Sequence, residues 1–115
     1  MTRPKRLIDL FGGRSKYSNE PTEVDGIKFD SKKEAKRYGE LTILVKAGAI
    51  KDLELQPRYP MVINGVKVTT YVADFRYTGI SGAVIVEDTK GFKTEVYKLK
   101  KKLMSAIHGI EIQET

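Results

Sequence analysis

The stretch Ala83-Val84-Ile85-Val86-Glu87-Asp88-Thr89-Lys90 is apolar in its first half and carries two acids and a lysine in its second. A β-strand sends successive side chains to opposite faces, so Val84, Val86, Asp88 and Lys90 share one face and Glu87 takes the other. Asp88 and Lys90 are then neighbours just where the strand ends. A bulge in this strand would change the register and let Glu87 compete for the same role; in regular register only Asp88 shares the face of Lys90.

Upstream, Met61-Val62-Ile63 and Val66-Lys67-Val68 flank Asn64-Gly65, a two-residue hairpin signal. The second arm is expected to continue to about Tyr77, with Tyr71, Ala73, Phe75 and Tyr77 on one face and Val72, Asp74 and Arg76 on the other. A turn over 78–82 lets this arm pair with the Ala83 strand. Asp74 and Asp88 then lie on adjacent strand ends, a common way to build a divalent-cation site. The duller reading of Asp74 is an ion pair with Arg76 or a nearby lysine.

Further upstream, Leu53 and Leu55 alternate with Asp52, Glu54 and Gln56 before Pro57 interrupts, a strand pattern. Asp30-Ser31-Lys32-Lys33-Glu34 opens a helix expected from about Lys32 to Ala47, with Ala35, Tyr38, Leu41, Leu44 and Val45 apolar and Gly48 at the C-terminal cap. Ser31 and Glu34 have capping-box spacing. Glu34 also falls on the stripe of Tyr38, Leu41 and Val45, where a carboxylate needs a cap, a lysine or a metal. Asp25-Gly26 marks another hairpin.

Downstream, Lys93 to about Ile107 reads as a helix with Val96, Leu99, Leu103 and Ile107 on its buried stripe. Ile110–Ile112 reads as a short last strand. Hairpin, helix, several strands, helix and strand together predict one α/β or α+β domain over 20–115, a mixed central sheet flanked by helices. Residues 1–19 read as a basic arm carrying Leu7, Ile8, Leu10 and Phe11 before Gly12-Gly13.

Composition narrows the chemistry. The chain has 115 residues, 40% of them hydrophobic, enough for one domain with a core and little margin without a partner subunit. No apolar run approaches the roughly 18–20 residues that cross a bilayer, and the charged N-terminus lacks an apolar signal core. There is no cysteine and a single histidine, His108, which fits a reducing cytoplasm and disfavours thiolate or His-rich metal sites. A metal here is expected to be a hard cation on oxygen ligands. The net charge of +6 is uneven: residues 1–18 carry +4 and residues 90–104 carry +5, around a near-neutral body. Clustered positive charge points to a polyanion partner.

The order Glu34, Asp74, Asp88-Thr89-Lys90-Gly91 resembles the PD-(D/E)xK nuclease superfamily. Val86 to Gly91, followed by a lysine-rich helix and a short strand, is similar to the phage endonuclease-one-type Holliday junction resolvases. Phe29 to Leu41 together with Leu53-Glu54-Leu55-Gln56-Pro57 is similar to small phage and prophage proteins placed in that superfamily. The resemblance covers roughly residues 20–112. Ala73 stands where the superfamily usually has proline, and Asp88 where glutamate is commoner.

This resemblance implies a restriction-endonuclease-like fold and a Mg²⁺-dependent DNA endonuclease, with Mn²⁺ able to substitute and branched DNA as substrate. Asp74, Asp88 and the Thr89 carbonyl would hold metal, Glu34 would be an outer ligand, and Lys90 would orient or deprotonate the attacking water. Gln56 would support the site or serve only the fold. Lys93, Lys98, Lys101 and Lys102 would meet phosphates, and Tyr97 would stack on a base or sugar or sit on the helix rim. Cutting two strands takes two active sites, so a homodimer is expected, in the cytoplasm and away from membranes. The competing expectation is a non-catalytic basic module that binds nucleic acid.

Overall fold

The computed structural model describes residues 22–89 and 93–115. The basic arm read at 1–19 and Lys90, the lysine that the resemblance singles out, lie outside the described residues. The chain divides into two units that meet in sequence between Leu44 and Val45.

In the first unit, β1 (Thr22–Val24) and β2 (Ile27–Phe29) form an antiparallel hairpin with Val24 opposite Ile27. Asp25 and Gly26 both have positive φ, 53° and 76°, as a two-residue turn of the right twist requires. Helix α1 (Lys32–Lys46) then starts as its sequence predicts. The Glu34 N–H donates to Ser31 Oγ at 3.1 Å, which satisfies one of the donors a helix leaves open at its start, and the Ala35 N–H to the Ser31 carbonyl at 3.1 Å makes the first helical bond. Phe29 and Tyr38 meet with ring centroids 5.0 Å apart. Phe29, Ala35 and Leu41 are buried, and so is the side chain of Glu34.

The second unit begins as α1 ends. Gly48, at φ +77°, donates its N–H to the Val45 carbonyl, the glycine termination expected there. Six strands follow: β3 (Ile50–Leu55), β4 (Arg58–Ile63), β5 (Val66–Val72), β6 (Phe75–Gly79), β7 (Val84–Asp88) and, after a helix, β8 (Gln113–Glu114). The helix α2 (Glu95–Leu103) runs directly into a π-helical turn, Met104–His108. Strands β3, β6, β7 and β8 form one mixed sheet in that order, antiparallel except for the parallel β7–β8 pair. The fold class is α+β.

The Asn64-Gly65 hairpin is longer than its paired strands suggest. Beyond β4 and β5 the Ala73 N–H donates to the Pro57 carbonyl and the Gln56 N–H to the Asp74 carbonyl, and Leu55 then pairs with Phe75. One antiparallel ribbon therefore extends from the Asn64-Gly65 turn into the main sheet, bent at Gln56 (φ 52°) on one arm and at Asp74 on the other.

That bend corrects one expectation. Tyr71, Ala73, Phe75 and Tyr77 are all buried, but not on one face. Tyr71 and Ala73 pack in a core with Val86, whereas Phe75 and Tyr77 pair with Glu87 and Ile85, the row that alternation turns away from Val86. The Asp74 N–H donates to the carbonyl of Glu87, which is already opposite Phe75. Two residues thus face one, a β-bulge, and alternation reverses across it.

The core of this unit joins Met61, Tyr71, Ala73, Val86, Tyr97, Met104 and Ile112, with Tyr59, Leu103, Ile107 and Ile110 against its edge. It corrects the expected face of the last helix. Val96 is 61% and Leu99 58% exposed, while Tyr97 is 6% exposed and Met104 fully buried. Thr94 caps α2 by accepting the Tyr97 N–H on Oγ at 3.0 Å, and the buried face runs through Tyr97 and Met104. The helix also starts later than expected, at Glu95, and its last turn is π-helical. Gly109 in the left-handed region (φ 66°) ends that turn. The last strand lies at Gln113–Glu114 rather than Ile110–Ile112; Ile112 is a core residue just before it. Among the described residues, no helix is long and apolar enough to cross a membrane.

Candidate active site

Asp74 sits on the bulge between β5 and β6. Its Oδ2 accepts both the backbone N–H and the Oγ–H of Thr89, each at 2.8 Å, so the carboxylate is held against the end of β7. The Gln56 N–H fixes the Asp74 carbonyl at the same bend. Gln56 therefore supports the site through its backbone.

Asp88 ends β7 and is 1% exposed. The hydroxyl of Tyr71, from β5, donates to its Oδ2. Burial pushes the Tyr71 hydroxyl far above the usual phenol range, and the neighbouring charge and hydrogen bond of Asp88 add to it, with Asp74 contributing. The hydroxyl of Tyr97 is raised as well, by burial first and then by its bond to Glu114 and the charges of Asp88, Glu114 and Asp74. Asp74 and Asp88 therefore act on the same two phenols, whose rings lie 6.4 Å apart.

Glu87 points the other way. It is fully buried and accepts from the Tyr77 hydroxyl. The strand is paired in register from Val84 to Asp88, so Asp88 faces away from Glu87 and meets Tyr71. Glu34 belongs to the first unit, in the first turn of α1.

Sequence reasoning missed Glu114. In the parallel pairing it stands opposite Asp88. Its Oε1 is 2.9 Å from Lys93 Nζ, and its Oε2 is 3.3 Å from Lys101 Nζ and accepts the Tyr97 hydroxyl at 2.8 Å. These donors pull its carboxyl down to about 2, with the Lys93 bond foremost, then the Tyr97 bond. Continuing the alternation of Ile110 and Ile112 by one step would have pointed to it. Tyr71 left no sequence signal beyond being one more apolar-face aromatic.

An open groove of 660 Å³ runs along α2 and reaches Glu114. Lys93, Lys98, Lys101 and Lys102 line it, so the helix lysines singled out from the sequence share one surface. Tyr97 lines it too, but its ring is in the core and its hydroxyl is engaged, so it does not stack on a base as expected. Lys98 is also bonded to Glu95 at 3.2 Å. Lys100 donates to the Thr70 carbonyl at 3.1 Å and ties α2 to β5.

A family model described as "Protein of unknown function (DUF1064)" matches residues 14–113. The chain belongs to the DUF1064 family. The match takes in both units, and with them Glu34, Asp74, Asp88 and the whole lysine groove. No curated protein and no solved structure matches the chain. Among the described residues of this DUF1064 member, no three histidine or acidic side chains stand close enough together to count as a metal cluster. The acids form pairs with phenols, a hydroxyl and lysines instead.

Proposed function

We propose that this protein is a divalent-metal-dependent DNA endonuclease, with branched DNA as its substrate and a homodimer as its working form. What carries the reading is that the Asp74 carboxylate is bonded to Thr89, the residue directly after the buried Asp88, at the end of β7. The lysine-lined groove, which reaches Glu114, the register partner of Asp88, supports it. The donor chemistry fits a hard cation: carboxylate and main-chain oxygens, no thiolate, and a histidine whose Nε2 is engaged by the Pro60 carbonyl at 2.9 Å. Asp74, Asp88 and the Thr89 carbonyl would hold it. Bound Mg²⁺ or Mn²⁺ would supply a polarised phosphoryl oxygen and a water acidic enough to attack.

The chain's own residues do the rest. Thr89 holds the Asp74 carboxylate in place through its N–H and Oγ. Tyr71 holds Asp88 by donating to its Oδ2. Lysines 98 and 102 bind backbone phosphates along the groove and set the register of the duplex. Lys90, by the superfamily resemblance, orients the attacking water and takes up its proton. Two sites in a dimer would cut two strands.

The test is cleavage of four-way junction, flap and linear duplex DNA with Mg²⁺ or Mn²⁺, for the wild type beside Asp74→Ala and Lys90→Ala. Loss of cleavage in both variants supports the assignment; variants that cut as well as the wild type overturn it. Light scattering in the same buffers checks the dimer. DNA binding that is salt-sensitive but indifferent to metal and to Asp88→Asn would instead identify a non-catalytic module.

A further inference from the structure

Glu114 has an arrangement that an ordinary surface ion pair does not need. Its two oxygens collect three donors from two directions: Lys93 from just before α2, and Lys101 and Tyr97 from within it. Lys101 and Tyr97 are four residues apart, one helical turn, so both reach the same point from one face of α2. All three donors line the groove, and Glu114 lines it with them. Two ammonium groups and a hydroxyl converging on a pair of anionic oxygens is how a protein holds one phosphate.

We propose that Lys93, Lys101 and Tyr97 form a phosphate subsite in the groove, and that the Glu114 carboxylate occupies it until a phosphodiester displaces it. This rests on the nucleic-acid reading of the groove and names the position where one backbone phosphate sits. The side chains of Lys93 and Lys101 are 46% and 36% exposed, so a phosphodiester can reach both ammonium groups from the solvent side of the groove. The pairing that holds Glu114 is also short, since β8 has two residues. A phosphodiester offers the same charge with more acceptor atoms.

The experiment measures binding of a labelled four-way DNA junction, and separately of inorganic pyrophosphate, to the wild type, Glu114→Gln and Glu111→Gln. Glu111 lines the same groove but bonds Ser105, so its variant reports a change of charge alone. Glu114→Gln should bind both probes about two- to fivefold tighter than wild type, the size of a partly exposed ion pair released. Glu111→Gln should gain less, and adding Lys93→Gln and Lys101→Gln to Glu114→Gln should abolish the gain. Equal gains in Glu111→Gln and Glu114→Gln, or none in either, overturn the subsite. If circular dichroism shows Glu114→Gln unfolded, the Lys93→Gln/Lys101→Gln pair in the wild-type background decides: unchanged pyrophosphate binding overturns it. A pyrophosphate gain without DNA binding by any variant keeps the subsite and removes the nucleic-acid reading. DNA binding by the wild type without a gain in Glu114→Gln does the reverse.

Discussion

Asp88 and Glu114 are register partners across the parallel β7–β8 pair, and each accepts a hydrogen bond from a tyrosine, Asp88 from Tyr71 and Glu114 from Tyr97. Those tyrosines come from different elements, β5 and α2, and their rings pack in the same core. Acids that would be costly to bury thus stand at the edge of an apolar cluster, each met by a phenol whose ring belongs to the cluster and whose hydroxyl does not. Several consequences can be measured.

Removing the Tyr71 hydroxyl leaves the ring in place and takes a donor from a buried carboxylate. Tyr71→Phe should lose about 1–3 kcal/mol in urea unfolding, since a buried acceptor deprived of its partner bears the desolvation cost. A change within experimental error would mean that the bond to Asp88 contributes nothing net.

The phase of α2 can be read from two substitutions. Met104 is fully buried, and Met104→Ala should cost about 2–5 kcal/mol. Leu99 is mostly exposed, and Leu99→Ser should stay within about 0.5 kcal/mol of wild type. The helix face first expected from the sequence requires a large loss at Leu99, so thermal melts of the two variants distinguish the arrangements.

Glu114 makes stability depend on acidity. Its carboxyl is lowered from 4.5 to about 2 in the folded protein, chiefly by Lys93 and Tyr97. A group depressed on folding contributes stability that is full above its unfolded value and lost as pH falls toward the folded one. Wild type should therefore lose stability relative to Glu114→Gln as pH drops from 4.5 to about 2. Melting temperatures of both proteins across that window check it; parallel curves would contradict the assignment.

Gly65 completes the Asn64-Gly65 turn at φ +79°, with open space where a Cβ would project. Gly65→Ala should cost about 1 kcal/mol through backbone conformation alone. The loss should appear in the unfolding free energy without a change in near-ultraviolet circular dichroism, because no core residue is touched.

Local chemistry carried most of what was legible in the chain. Asp25-Gly26, Asn64-Gly65, Ser31 before α1 and Gly48 after it act within a few residues of themselves, and each forms the turn or cap its neighbours predict. Alternation through Val84–Asp88 likewise placed Asp88 and Glu87 on opposite faces, because that strand is regular. The misread parts depend on distant atoms. Alternation from Tyr71 to Tyr77 failed because a bulge at Asp74, invisible as a residue pattern, reverses the faces. In α2, Val96-Leu99-Leu103 fits a helical stripe as well as Tyr97-Lys101-Met104 does. The core takes Tyr97 and Met104, with Leu103 at its edge, and leaves Val96 and Leu99 outside; Tyr97 fills it with a ring and still delivers its hydroxyl to Glu114. The acids of the site were legible as candidates; the phenols that hold them were not, since an aromatic at an apolar position announces only burial.

The two tyrosine–acid pairs on β7 have a consequence for how this strand is threaded. Glu87 is gripped by Tyr77 from one side of the sheet and Asp88 by Tyr71 from the other. A one-residue slip of β7 would turn Val86 out of its core face, and it would put Val86 in the place of Glu87 or Thr89 in the place of Asp88. The phenols add to that cost. Either slip leaves one hydroxyl without an acid and offers the other the wrong one, Glu87 at the hydroxyl set for aspartate or Asp88 at the hydroxyl set for glutamate. β7 is thus keyed like a two-sided lock, and a single-residue insertion in the 80–83 turn should disengage both keys at once.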